Sequence, residues 1–411
     1  MPIKPFSKDE EVPVVPWHTH LYRALISLKI PMRHVRDAWF TLRRDHAGLF
    51  GVGDAEAIDR KSPGGPPLPA DICEIAVIKL DHIGDLILAS PVFHSLRCRF
   101  PSARITAVVS PGAACVLARN PNIDRIVTFD APWHWRENAG AEELRRHLVQ
   151  GWKSFAELQE TTFDLVVNLR SDEKNVAFAA TLPHRALLSY SYRTAYASLI
   201  THTLPWVKTH STEQHRRLLA SIGADEWIAP RLYPDPNDYD RAFSVHRPSR
   251  GTVVFFLGAA MPYRRWSSVK FKELAGRLIS KGREVVIVGS SSDSALSSEW
   301  DSATGCVNLC GKFSILELFA YLENTGCMVT NDSGPMHLAA AAGIPVVCTM
   351  RDRAHTEFAP VGNCHVVFIK KTCSGPCSDN PATKDAACTC IQTVTVDEME
   401  AAVERVLASH R

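Results

Sequence analysis

Two doubly wound α/β domains in tandem, behind a helical N-terminal extension, are what the sequence predicts, and three observations predict them. Short apolar runs alternate with helix-period segments from residue 72 to 169, and the same alternation resumes from residue 252 to the run "PVVCTM" at 345–350. Between the two, "RLYPDPNDYDRAFSVHRPSRG" (231–251) is polar and rich in proline, the composition of a boundary and not of a core. A chain of 411 residues, 45% of them hydrophobic, has material for two cores and is too long for one compact α/β unit. The expected organisation is an extension with its linker over 1–70, a first Rossmann-like domain over 71–240 and a second over 250–411. Open α/β sheets bind ligands at the carboxyl ends of their strands, so the two domains would face a shared cleft.

The elements follow in order. Residues 18–45, "HTHLYRALISLKIPMRHVRDAWFTLRRD", carry apolar residues at helical spacing with Arg and Lys between them and Pro31 as an interruption, which predicts a basic amphipathic hairpin or bent helix. Packing on the body of the protein or at a subunit contact is the preferred reading of that face, with a peripheral membrane contact as the other. "KSPGGPPLPAD" (61–71) is a linker. "ICEIAVIKL" (72–80) is a buried-strand run, "GDLILASPVFHSLRCRF" a helix pattern, and "RITAVVS" (104–110), "RIVTFD" (125–130) and "DLVVNL" (164–169) are further strands, with a long helix around 142–159. The alternation weakens after "RALLSY" (185–190). Past the boundary come strand "TVVFFLG", helix "VKFKELAGRLISKG", strand "REVVIVGS", helix "ILELFAYLENTG", strand "CMVTND", a helix from Gly334, and "PVVCTM".

Charge narrows the partners. With 46 Lys+Arg against 44 Asp+Glu, the net charge of +2 makes no global field for nucleic acid, which is not expected as a partner. No apolar run approaches the ~20 residues of a membrane span, and the first residues lack a signal-peptide core, so the expected location is cytoplasmic. "GVGDAE" (51–56) lacks a third glycine and follows no strand, and "GCVNLCGKF" has the wrong glycine spacing and Phe313 where a P-loop needs Ser or Thr; neither is a nucleotide motif.

Three strand-to-helix corners carry candidate chemistry. In "TNDSGPMHLAAAAGIPVV" (330–347), Pro335 suits the first turn of a helix, which puts Gly334 at the N-cap. The free N–H groups there and the helix dipole suit a phosphate, and Asp332 just before can accept hydroxyl hydrogen bonds. In "IKLDHIGDLILASPVF" (78–93), Gly84 makes a tight turn, Asp81 and Asp85 can each cap the helix, and a carboxylate there facing the cleft can at the same time be a general base. In "FFLGAAMPYRRWS" (255–267), Gly258 allows close backbone approach, while Arg264 and Arg265 can clamp a diphosphate. A well-capped helix without a ligand is the alternative at the first of these corners, and a surface Arg pair without a function at the third.

Twelve cysteines are present, eight of them scattered, and four crowd together as Cys373, Cys377, Cys388 and Cys390. A polar loop has nothing to pack thiols against, so a structural Zn²⁺ or a single iron on four thiolates is expected ahead of free or disulfide-linked thiols.

Together the corners resemble glycosyltransferase family 9, the ADP-heptose:lipopolysaccharide heptosyltransferases. "IAVIKLDHIGDLILASPVFHSLRCRFPSARITAVV" is similar to the family's opening segment and "LCGKFSILELFAYLENTGCMVTNDSGPMHLAAAAGIPVV" to its most specific one, the resemblance running from about Ile75 to Leu407. It implies two Rossmann-like domains in the GT-B arrangement, a nucleotide-diphosphate sugar donor such as ADP-heptose, inversion at the anomeric carbon and no catalytic metal or other cofactor. By position, Asp85 resembles the base, Asp332 the residue holding the donor sugar's hydroxyls, and the Ser333, Gly334 and Met336 backbone lies near the diphosphate. Pro335 and His337 belong to the same donor segment, and Arg264 stands where the family often has a Lys before its Trp, here Trp266. The chain departs from the pattern in its extension of about 70 residues and in "SSSDSAL" at 290–296, so the acceptor, a lipopolysaccharide core, another glycan, a lipid or a protein, stays open, as does the nucleotide base. A nucleotide-sugar epimerase would share the architecture and the diphosphate site, and a scaffold would keep the fold without a use for cleft carboxylates. A homo-oligomer is a further expected assembly.

Overall fold

The computed structural model describes residues 66–131, 141–191, 199–293, 300, 305–362, 365–369 and 390–409. The basic segment 18–45 and three of the four clustered cysteines, Cys373, Cys377 and Cys388, lie outside them. Residues 60–128 and 161–411 form one compact unit, which holds both sheets, and residues 129–160 belong to a second. In the latter, helix Ala141–Gln159 sets Trp152 and Phe155 on one face, their ring centroids 6.1 Å apart, and His147 Nδ1 pairs with the Asp130 carboxylate.

The first sheet contains β1 (Glu74–Lys79), β2 (Arg104–Val109), β3 (Arg125–Thr128), β4 (Phe163–Asn168), β5 (His184–Ser191) and β6 (His202–Pro205). The second contains β7 (Val253–Phe256), β8 (Val285–Ile287), β9 (Val307–Asn308), β10 (Cys327–Asn331), β11 (Val346–Met350) and β12 (Val366–Ile369). Every pairing is parallel. The strand orders are β3-β2-β1-β4-β5-β6 and β12-β11-β10-β7-β8-β9, and counted from its own first strand each sheet reads 3-2-1-4-5-6, the Rossmann order. The order reverses between β1 and β4 in one sheet and between β7 and β10 in the other. All three sequence corners lie at those two points.

Strand continuity explains why the sheets form. Parallel strands covered on both faces need apolar residues at successive positions, and Ile75 to Ile78 and Val253 to Phe255 are fully buried. In the second sheet, alternate side chains go to opposite layers. Val254, Met328, Val346 and Cys348 join the larger apolar cluster, which also contains Leu86, Phe93 and Leu218 of the first half. Val253, Phe255, Cys327, Val329 and Val347 face the other layer, where helix Ser268–Ser280 and the closing helix Val396–Ser409 supply Phe271, Leu274, Met399 and Val403.

One helix differs from its sequence pattern. The segment expected as a single helix from Gly84 to Phe100 is two, Ile83–Ala89 and Pro91–Arg99. Pro91 has no N–H to continue the first ladder, and Ser90 turns its hydroxyl to the Ile87 carbonyl at 2.8 Å instead.

Candidate active site

The first corner is built at the end of β1. Lys79 and Asp81 are buried, their Nζ and Oδ2 3.0 Å apart. From the end of β4, Arg170 donates to the other oxygen of Asp81 through Nη1 and to Asp172 Oδ2 through Nε at 2.9 Å. Asp172 in turn N-caps the helix Glu173–Ala179, accepting from the Asn175 amide at 3.2 Å. Burial alone would lower the Arg170 pKa, but Asp81, Asp172 and Asp85 more than offset it and hold it above its ordinary value. Burial would raise Asp172, and Arg170 and Asn175 hold it below the usual carboxylate range. Asp81 is therefore committed to ion pairs. Asp85 lies in the first turn of helix Ile83–Ala89 and is half-buried.

The second corner follows β10. Asn331 is fully buried and ties the two middle strands of the sheet: its Nδ2 donates to the Leu257 carbonyl at 2.9 Å and its Oδ1 accepts from the Trp266 amide at 2.8 Å. Asp332 comes next, 6% exposed. Burial raises its pKa, and the charges of Arg264 and Arg351 oppose that rise. Arg264 Nη1 stands 3.6 Å from Asp332 Oδ2, too long for a direct hydrogen bond. Among the described residues neither that oxygen nor Arg264 Nε has a hydrogen-bond partner. A carboxylate and a guanidinium that face each other in this way have hydrogen-bonding capacity that a polar ligand can use.

The helix after it, Gly334–Ala341, starts where the sequence places it, but its N-cap is Ser333 and not Gly334. Ser333, at φ −160° and ψ 168°, is the N-cap, and Gly334 is the first helical residue. The Ser333 side chain gives no cap bond, since its hydroxyl donates to the Asn331 carbonyl at 3.2 Å. Pro335 has no N–H, and the Met336 amide donates to the Ser333 carbonyl at 3.1 Å. Met336 is thus engaged inside the helix, its side chain in the core, and the first-turn amide on offer to an anion is that of Gly334.

The third corner corrects one expectation. Arg265 donates to the Ala259 carbonyl through Nε at 3.0 Å and Nη2 at 2.8 Å, so it braces the Gly258 turn and Arg264 alone of the pair faces Asp332. A side chain on Gly258 would lie 2.9 Å from Asp293 Oδ1 and 3.0 Å from the Phe256 ring.

The corners of the two sheets meet. A Cβ on Gly84 would lie 2.8 Å from His337 Cδ2 and 3.2 Å from the Gly334 Cα, so the first turns of the two helices touch with only glycine between them. His337 is held neutral: burial first, then the neighbouring His210, lowers its pKa to about 3.

Three residues of this region escaped the sequence reading. Asn331 staples the two middle strands of the second sheet. Arg351, buried at the end of β11, lies 4.6 Å over the Tyr263 ring. Asp293, past the end of β8, occupies the region where Rossmann sheets carry an acid for ribose hydroxyls. A groove of about 440 Å³ lined by Leu68, Ile72, Phe100 and Ser102 lies at the amino ends of β1 and β2, away from this chemistry. Among the described residues no group of three or more His, Cys, Asp or Glu is placed to hold a metal, and of the clustered cysteines only Cys390 is among them.

The model of glycosyltransferase family 9 (heptosyltransferase) matches residues 152–387 of the chain. The chain belongs to glycosyltransferase family 9. Lipopolysaccharide heptosyltransferase 3 of Escherichia coli K12 is 24% identical to this enzyme over 290 residues, covering 67% of this chain and 82% of that one. The glycosyltransferase family 9 structure from Veillonella parvula superposes with a TM-score of 0.71 at 21% identity, over 84% of this chain and 99% of the other. The structure of E. coli ADP-heptose lps heptosyltransferase II superposes with a TM-score of 0.63 at 21% identity, over 82% and 99%. The enzyme is therefore a glycosyltransferase whose tandem Rossmann-like halves form the GT-B arrangement. Among its described residues no helix is long and apolar enough to cross a membrane.

Proposed function

We propose that the enzyme transfers a heptose, with inversion, from ADP-heptose to a hydroxyl of a lipopolysaccharide core or of another glycan, lipid or protein acceptor. The observation that carries this reading is the Asp332–Arg264 pair: 3.6 Å apart, the carboxyl buried and the guanidinium half-buried, with hydrogen-bonding capacity unused among the described residues, beside a helix start that no side chain caps. Asp332 accepts hydroxyl hydrogen bonds from the donor sugar. Gly334, the helix dipole and Arg264 take the diphosphate.

Inversion requires the acceptor oxygen to attack the anomeric carbon from the face opposite the diphosphate. Asp85 removes the hydroxyl proton as the new C–O bond forms, and the old bond breaks with its electron pair going to the diphosphate. The growing negative charge meets dipoles and a guanidinium already in place, so little reorganisation is needed. No metal is assigned to this step. Residues 71–240 then act as the acceptor side and 250–411 as the donor side, and the site of action is the cytoplasm, at the inner face of the membrane where a lipid-linked acceptor is presented. The four clustered cysteines are assigned a structural zinc or iron ion.

Purified enzyme incubated with ADP-, GDP- and UDP-sugars, with and without lipopolysaccharide core acceptor, tests the reading by mass spectrometry. Acceptor-dependent transfer from ADP-heptose supports it. A new sugar epimer formed without acceptor, or no turnover of any donor, refutes it.

A further inference from the structure

Arg351 follows the last residue of β11 and is the N-cap of helix Asp352–Phe358. β11 is hydrogen-bonded to β10, so Arg351 leaves its strand beside the one that Asp332 follows. Its side chain is buried, with the guanidinium carbon 4.6 Å from the centroid of Tyr263. Tyr263 is the middle residue of the 3₁₀ turn Pro262–Arg264, and the next residue is the arginine that faces Asp332 at 3.6 Å. The residues close a circuit. Arg351 holds Tyr263, Tyr263 carries Arg264, Arg264 faces Asp332, and the charge of Arg351 acts back on Asp332.

A single 3₁₀ turn has little stability of its own, and an ion pair at 3.6 Å without a hydrogen bond does not fix a side chain. A cation stacked on an aromatic face in a desolvated place supplies the missing restraint. We infer that Arg351 is a positioning residue for donor capture, holding the Tyr263–Arg264 turn against Asp332 and adding a second cation at the adjoining strand end. The inference rests on the donor reading above and assigns Arg351 no contact with the reacting atoms.

Among the described residues, the charged and titratable groups that act on Asp332 are Arg264 from the turn, and Arg351 and Cys348 from β11 and its end. Burial first, and then Asp332, pushes the Cys348 thiol up, so it stays protonated and the two arginines do the tuning. Burial works to protonate Asp332 and both cations work to keep it ionised. Loss of one cation moves its titration to higher pH.

The test uses the full chain with ADP-heptose. R351Q is expected to raise the donor KM about tenfold, the scale of a lost cation–π contact, and to move the acid limb of donor affinity, measured by titration calorimetry, to higher pH. R351K is expected to return the limb to its wild-type position with KM still elevated, since an ammonium keeps the charge but not the planar stack. Y263L is expected to raise KM with the limb unmoved. A wild-type KM in R351Q, or a raised KM with an unmoved limb, overturns the inference, because a purely structural role leaves the limb in place. Should R351Q not fold, wild-type KM in both R351K and Y263L overturns it equally. Donor binding by the wild type, measured first, is where the donor reading would fail by itself.

Discussion

The imidazole of His337 stands 2.8 Å from the point where a side chain on Gly84 would begin, so the helix that carries Asp85 and the helix that follows Asp332 are held together across a glycine. Gly84→Ala tests that contact. Helix propensity alone would favour alanine by up to about 1 kcal/mol, whereas overpacking a close helix contact costs about 1–3 kcal/mol. The contact is expected to win, giving a less stable protein in urea unfolding. Adding His337→Ala should recover only part of the loss, because the Gly334 Cα remains at 3.2 Å. A Gly84→Ala protein as stable as wild type would show that the two helices separate without cost.

Asp85→Asn should abolish transfer while leaving donor affinity close to wild type. The amide keeps the shape of the carboxylate and cannot take the proton, and loss of a general base costs ~10²–10⁴-fold in rate. Asp81→Asn should behave differently. It leaves Lys79 buried with half of its ion pair, so it should lower stability. Near wild-type turnover in Asp85→Asn would remove Asp85 from the chemistry and leave the base to be found elsewhere.

Much of this arrangement was legible in the sequence, for identifiable reasons. Strands buried on both faces read as unbroken apolar runs, so β1, β4, β7, β10 and β11 were visible, whereas β6 as "HTLP" and the two-residue β9 are too polar or too short to signal. Gly, Pro and Asp at a strand end mark a corner, but they do not distinguish Ser333 from Gly334 as the cap, because the difference lies in one residue's extended backbone. Arg264 and Arg265 are adjacent and chemically equal in the sequence; only the Ala259 carbonyl, available to one of them, separates their roles. Asn331 and Arg351 are lone polar residues at strand ends. Their partners lie 65 positions away for the Asn331–Trp266 bond and in a different strand-end turn for Arg351, so no local pattern announces them.

Asp332→Ala should weaken donor binding, since it removes hydroxyl acceptors beside the diphosphate site and leaves Arg264 facing an empty space. If those bonds tighten in the transition state, kcat falls along with the rise in KM. Titration calorimetry with ADP-heptose decides between a ligand contact and a strand-end cap. Unchanged affinity would make Asp332 structural.

His337 gives a pH prediction of definite sign. Its folded pKa is about 3 and its ordinary value is 6.5, so between those values the unfolded chain binds a proton that the folded one does not. Stability therefore falls as pH drops through that window and is unaffected by this group above it. His215, held well below its ordinary value by burial and then by Lys79, acts in the same direction. His337→Asn should flatten the decline in denaturant stability on the acid side of 6.5. An unchanged slope would mean that His337 takes its proton as readily in the folded protein as in the unfolded chain, and the acid limb of activity would then have a candidate besides Asp85 and Asp332.

The cysteine cluster reaches the donor side through residues that follow it. Cys390 is buried and opens the 3₁₀ turn Cys390–Thr393. From that turn Gln392 Nε2 donates to the Arg265 carbonyl at 2.6 Å, Lys270 Nζ bonds to the Gln392 carbonyl, and Trp266 Nε1 donates to the Val394 carbonyl at 3.0 Å. Residues 390–394 are thus sewn to the turn that presents Arg264. If Cys373, Cys377, Cys388 and Cys390 hold one structural ion, elemental analysis of protein purified without chelator should find about one equivalent of zinc or iron. Removing it should loosen the Cys390 end and raise the donor KM, with kcat for bound donor changed less, because Asp85 lies on the other sheet's corner. Cys390→Ser should reproduce both effects. Less than about a tenth of an equivalent of the two metals together, with four titratable thiols in the segment, would eliminate the ion, and the hydrogen bonds from Gln392 and Trp266 would then be what fixes the turn.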